Sequence, residues 1–134
     1  MSEDDIHQND TSRTRILIVD DDSAIAGFLF EVLSIVNGGF EVEVVHDGFT
    51  AGSFIQSFQP QIILIDIMMP GVNGIEICRF LKENDETRDV EIIAMTGYPS
   101  QSNIDDILAA GARECLTKPI NVSQLMHAID AAIG

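Results

Sequence analysis

Five short apolar runs punctuate the chain: ILIV at 16–19, FEVEVV at 40–45, IILI at 62–65, EIIAM at 91–95 and CLT at 115–117. Their length, their β-branched content and the polar stretches between them predict five strands. Between the first two, Ile25, Phe28, Leu29, Val32 and Val36 recur at helical spacing. They form the expected core stripe of a first helix, which Asn37-Gly38-Gly39 would stop. Further helices are predicted near 50–57, 75–84 and 103–110, the last of them ending at Gly111. A fifth carries Val122, Leu125, Met126, Ile129 and Ile133 on one face and runs to the end of the sequence. Near-continuously apolar strands alternating with helices imply a parallel sheet covered on both faces through right-handed crossovers. The expected fold class is α/β, a doubly wound five-stranded parallel sheet.

The opening stretch MSEDDIHQNDTSR is almost devoid of apolar residues, so burial cannot offset the entropy of ordering it. It reads as a disordered tail over 1–13, ahead of a single domain over 14–134. No apolar run approaches the roughly 18 to 20 residues that span a bilayer, and the acidic start is unlike a signal peptide. The expectation is a cytoplasmic protein without membrane insertion. Nothing follows the fifth helix, so no output domain is expected within the chain.

Charge narrows the partners. With 7 basic against 22 acidic residues the net charge is −15, which repels phosphate backbones and argues against direct nucleic-acid binding. Most of that excess serves solubility, and only clustered acids carry chemical information. Cys78 and Cys115 lack metal-site or disulfide spacing and read as buried thiols.

The informative pattern lies in the residues immediately after the apolar runs. Asp20, Asp21 and Asp22 come after ILIV, Asp66 after IILI, Thr96 after EIIAM, and Lys118 after CLT. In a parallel sheet these positions share the carboxyl edge, where doubly wound folds bind ligands at a switch in strand order. If the first and third strands are neighbours, their carboxylates converge. Each pair then repels by about 4 kcal/mol at 4 Å and an effective dielectric of 20, which demands a cation or a raised pKa. Oxygen-only donors select hard Mg²⁺ over zinc or copper and leave coordination positions for water and phosphate oxygens. An Asp carboxylate can attack phosphorus to give an acyl phosphate once its charge and that of the incoming group are neutralised. Acids, a metal, the Thr96 hydroxyl and the Lys118 ammonium form a complete set for phosphoryl transfer, which asks mainly for positioning and charge stabilisation.

Singly, these residues have duller readings. Asp22 or Ser23 caps the first helix, Asp66 starts the turn toward Met69-Pro70-Gly71, and Thr96 and Lys118 are ordinary strand-end residues. Their joint placement argues otherwise. The pieces ILIVDDDSAI, IILIDIMMPGVNGIEIC, AMTG and LTKPI, in this order and spacing over roughly 14–134, resemble the response-regulator receiver family of two-component signalling.

The resemblance implies a CheY-like (βα)5 domain with flavodoxin-like strand order 2-1-3-4-5. It implies that Asp66 is the phosphoacceptor and that Asp20, Asp21, Asp66 and the Met68 backbone carbonyl hold Mg²⁺. Thr96 would be the switch hydroxyl and Lys118 the charge partner of the phosphoryl group. The peptide before Pro119 would be cis. Partners would be a histidine kinase or histidine phosphotransfer protein and a downstream protein target that the sequence does not name. One departure stands out: Cys115 lies three residues before Lys118, where receivers often carry Tyr or Phe, so a relay from Thr96 to an aromatic ring is in doubt. Met68 and Tyr98 border the site and are expected to tune phosphoryl lifetime through water access. Phe30 lies off the predicted stripe, as does Ala26, and is expected to be exposed as a docking spot for the phosphodonor.

Three other readings fit less well. A phosphatase with an Asp nucleophile would usually carry a second acid two residues on, where this chain has Met68. A phosphorylation-independent binding module of the same fold would not require Asp66, Thr96 and Lys118 together. A flavin-type carrier would need a phosphate loop after the first strand, and no Ser/Thr/Gly-rich segment stands there.

Overall fold

The computed structural model describes residues 13–36 and 39–134. In chain order the elements are β1 (Arg15–Val19), α1 (Ser23–Ile35), β2 (Glu41–Val45), α2 (Gly48–Phe58) and β3 (Ile62–Asp66). They continue with β4 (Met68–Met69), β5 (Val72–Asn73), α3 (Gly74–Glu83), β6 (Glu91–Thr96), α4 (Gln101–Ala109), β7 (Glu114–Thr117) and α5 (Val122–Ile133). The five long strands form one parallel sheet in the order β2-β1-β3-β6-β7. Counting those strands alone, this is the expected order 2-1-3-4-5. β4 and β5 form a small antiparallel hairpin around Pro70-Gly71, which the apolar pattern does not predict. Gly71 sits there at φ 72°, a conformation glycine adopts without steric cost.

Strand alternation divides the core in two. Leu17, Val19, Ile63, Ile65, Ile92 and Ala94 face Ala51, Ile55, Cys78, Leu81 and Ile107 of α2, α3 and α4. Ile16, Ile18, Ile62, Leu64, Ile93 and Met95 face Ala26, Leu29, Leu33, Leu125, Ala128 and Ile129 of α1 and α5. Burying one such Leu or Ile side chain contributes about 2 kcal/mol, and a one-residue register slip would send each to the wrong face. The strand ends at the carboxyl edge are fixed accordingly.

Several expectations are corrected. The buried stripe of α1 is Ala26, Leu29 and Leu33, while Phe28 is 46% exposed. This helix is apolar on most sides, so large residues do not mark its inner face; small Ala26 allows close approach to the sheet. On α5 the buried set is Leu125, Ala128 and Ile129, and Val122 and Ile133 at the helix ends are exposed. Cys78 is buried, but Cys115 is only partly so. Phe40 precedes β2 rather than opening it; its N–H donates to the Leu33 carbonyl at 3.0 Å. The tail expected over 1–13 lies outside the described residues except Arg13, whose guanidinium donates to the Phe40 carbonyl at 3.0 Å. Of the expected stop after α1, Asn37 and Gly38 also lie outside them.

Candidate functional site

The carboxyl edge of the sheet gathers the chemistry because β1 and β3 are neighbours, with Val19 opposite Ile65. Each chain continues one step past that pair into an aspartate. Asp20 is fully buried and Asp66 is nearly so, while Asp21 is exposed. One carboxylate oxygen from each of Asp20, Asp21 and Asp66 lies within 4.8 Å of the others.

Local hydrogen bonds hold these acids. Asp20 Oδ1 accepts from the Asp22 N–H at 2.9 Å, and Asp66 Oδ1 accepts from the Met68 N–H at 2.9 Å. The Asp22 carboxylate turns away and caps α1, accepting from the Ala24 and Ile25 N–H groups. That is the capping role read for it in the sequence. Behind the Asp66 turn, α3 begins at Gly74, where an added Cβ would lie 2.7 Å from Ile67 Cα. Only glycine permits the turn and the helix to pack so closely.

Lys118 arrives from β7. Its Nζ donates to Asp20 Oδ2 and Asp66 Oδ2, each at 3.0 Å, with its side chain 15% exposed. The Lys118 N–H also donates to the Thr96 carbonyl at 2.8 Å, and the Lys118–Pro119 peptide is cis. Burial pushes the Asp20 carboxyl above its ordinary 3.8, with the Asp66 charge adding to the effect, while the Asp22 N–H and Lys118 pull the other way. For Lys118, burial opposes the charge, but the hydrogen bonds to Asp20 and Asp66 outweigh it and hold the pKa above 10.5. The ammonium thus bridges two carboxylates that would otherwise repel one another in a dry site.

Thr96 is buried at the end of β6, and its Oγ1 accepts from the Tyr98 N–H at 3.1 Å. Met68 and Tyr98 are exposed along the rim. Phe30 is 41% exposed; its position seven residues into α1 puts it about 10 Å along the axis from the helix start. It therefore stands along α1, away from the strand ends that carry the acids. Cys115 pairs with Ala94 on the β6–β7 ladder and packs partly into the core. Burial raises both thiols, that of Cys78 to about 11, so neither is an activated nucleophile.

The donor set suits a hard divalent cation. Three carboxylates supply oxygen, two of them buried, and no Cys or His joins the described cluster. One residue escaped the reading of strand ends: His46, the first residue after β2, places Nδ1 3.1 Å from the Asp20 carbonyl oxygen. Applying the strand-end rule to the second apolar run as well would have found it.

Comparison with known proteins shows the family and the fold. The profile of the response regulator receiver domain matches residues 16–130. DNA-binding response regulator MtrA of Mycobacterium tuberculosis is 34% identical over 124 residues, covering 92% of this chain and 52% of that protein. Response regulator MprA of Mycobacterium avium is 37% identical over 119 residues, covering 89% and 50%. The chain therefore spans about half the length of the curated relatives it matches. Among solved structures, the signal receiver domain of a DNA-binding response regulator from Colwellia psychrerythraea superimposes with a TM-score of 0.85 at 31% identity, covering 90% of this chain and 98% of that one. A CheY-like receiver domain from Methanospirillum hungatei gives 0.81 at 32% identity, covering 90% and 93%. Among the described residues, no helix is long and apolar enough to cross a membrane.

Proposed function

The chain belongs to the response regulator receiver family, and from that premise we propose that Asp66 accepts a phosphoryl group from the phosphohistidine of a histidine kinase or histidine phosphotransfer protein. The observation that carries this reading is the Lys118 ammonium bridging Asp20 and Asp66 beside a third carboxylate. Such a site is negative enough to take a divalent cation and already holds one positive group for an incoming phosphoryl.

An Asp66 carboxylate oxygen forms the new O–P bond as the P–N bond to the donor histidine breaks, and that electron pair returns to the imidazole ring. Asp20, Asp21, Asp66 and the Met68 carbonyl would hold Mg²⁺. When bound, Mg²⁺ neutralises the phosphoryl oxygens and the carboxylates around them. Lys118, hydrogen-bonded to Asp66, would contribute a further positive charge, and Thr96 would offer a hydroxyl to the transferred group. Catalysis here means positioning and neutralisation, and the domain acts only on its own Asp66.

Phosphorylation then biases a small conformational equilibrium at the face built from α4, β7 and α5. The signal leaves through a protein partner or passes onward in a phosphorelay, in the cytoplasm. The charge of −15 leaves direct nucleic-acid contact out of this proposal for the chain itself. The words "DNA-binding" in the name of MtrA describe a protein about twice the matched length. Phe30 is assigned to docking of the phosphodonor.

The test is intact-protein mass after incubation with acetyl phosphate or phosphoramidate. A single phosphoryl gain that needs both Mg²⁺ and Asp66, and is lost in Asp66→Ala, is expected. No gain from these donors or from a panel of active histidine kinases would favour a phosphorylation-independent binding module instead.

A further inference from the structure

Four of the five strand ends at the carboxyl edge carry Asp20, Asp66, Thr96 and Lys118; the fifth, β2, is succeeded by His46. The Asp20 N–H continues the β1–β2 ladder by donating to the Val45 carbonyl at 3.2 Å. One step further the ladder stops, because the chain turns at His46 and Asp47 to start α2. Asp47 caps that helix through the Thr50 N–H. The Asp20 carbonyl would therefore lose its neighbour on that side. His46 supplies one from its side chain, with Nδ1 3.1 Å from the carbonyl oxygen. A carbonyl only accepts, so Nδ1 carries the proton and donates.

This bond acts on the peptide that joins Asp20 to Asp21. The Asp20 side chain is already held through the Asp22 N–H and Lys118. Asp21 is exposed, and among the described residues no side-chain hydrogen bond restrains its carboxylate. Its direction follows the backbone that carries it, and the His46 ring hydrogen-bonds the carbonyl of that backbone.

We propose that His46 is a positioning residue for the metal site: its ring N–H fixes the Asp20–Asp21 peptide and so presents the Asp21 carboxylate to the cation shared with Asp20 and Asp66. The inference rests on the reading of these acids as a Mg²⁺ site. His46 touches neither the cation nor the phosphoryl group. Its contribution is the organisation of a ligand before binding, which lowers the ordering cost when the cation arrives.

The experiment is calorimetric titration of Mg²⁺ into wild type, His46→Leu, His46→Ala and His46→Asn, with urea unfolding of each. Asn offers an amide N–H near the position of Nδ1, whereas Leu and Ala offer no donor. Dissociation constants about three- to tenfold higher are expected for Leu and Ala, the equivalent of one hydrogen bond. Asn should recover most of that loss even where the three variants unfold at the same urea concentration. Leu and Ala variants that bind within about twofold of wild type, or an Asn variant as weak as they are, would overturn the role of His46 alone. No Mg²⁺ binding by wild type would overturn this role together with the metal reading on which it rests.

Discussion

Lys118→Met removes the ammonium while keeping an unbranched stem of similar length. Nζ lies 3.0 Å from one oxygen of each of Asp20 and Asp66. At an effective dielectric near 20, each contact carries about 5 kcal/mol of gross attraction, most of it offset by desolvation of the three groups. Breaking a buried pair by removing one partner costs about 3–5 kcal/mol, and the partial exposure of Lys118 and the open edge reduce this to about 2–3 kcal/mol. In melting temperature that is a fall of roughly 6 to 15 °C for a domain of this size.

The dependence on pH has a definite sign. Asp20 binds its proton more tightly folded than unfolded, chiefly through burial, so ionising it weakens the fold as pH rises through its raised value. Without Lys118 that proton is held to still higher pH, so the variant recovers toward wild type in mild acid. Lys118 stabilises wild type fully below 10.5, and the contribution is lost as pH rises through its raised folded value. The deficit of the variant is therefore largest between these limits, and millimolar Mg²⁺ should shrink it by supplying the missing positive charge. The chain has no tryptophan, so urea unfolding in chelator and in Mg²⁺ is followed by circular dichroism. A variant within about 0.5 kcal/mol of wild type in chelator near neutral pH would refute the reasoning.

Other outcomes rest on single features. Asp22→Ala removes the α1 cap and should cost about 1 kcal/mol of stability while leaving Mg²⁺ affinity within about twofold; a larger loss of affinity would make Asp22 part of the metal site. A thiol reagent should label Cys115 well before fully buried Cys78, and equal rates by mass spectrometry would contradict the burial pattern. If exposed Met68 and Tyr98 limit water access as proposed, replacing both by Ser should shorten the lifetime of the Asp66 phosphate severalfold. An unchanged dephosphorylation rate would remove that role. Phe30→Ala should slow transfer from a phosphohistidine protein while leaving labelling by acetyl phosphate unaffected, and unaltered transfer kinetics would defeat the docking assignment.

The strands were legible because a sheet buried on both faces demands nearly unbroken apolar runs, as Ile62–Ile65 shows. The acids were legible for a related reason: the first polar residue after such a run falls at a fixed place, the sheet edge. Helix faces were harder. In α1, Ala26 and Phe28 exchange their expected places because closeness to the sheet, not residue size, decides which side turns inward. The β4–β5 hairpin is too short for periodicity to reveal, with two residues on each side of Pro70-Gly71. The two bonds of Lys118 span 98 and 52 residues of chain, and no local pattern encodes which carboxylates a distant lysine will meet.

The run Asp20-Asp21-Asp22 looks redundant as a string of letters, yet each member has its own setting: Asp20 buried in the acidic cluster, Asp21 exposed beside it, and Asp22 turned to cap α1. Substitution can therefore separate three phenotypes within one triplet, whereas insertion or deletion cannot. A single residue added before Asp20 would put the newcomer in the buried slot, push Asp20 out to the exposed one and leave the helix capped by Asp21. In the drift of homologous sequences, this junction should accept changes of letter far more readily than changes of length.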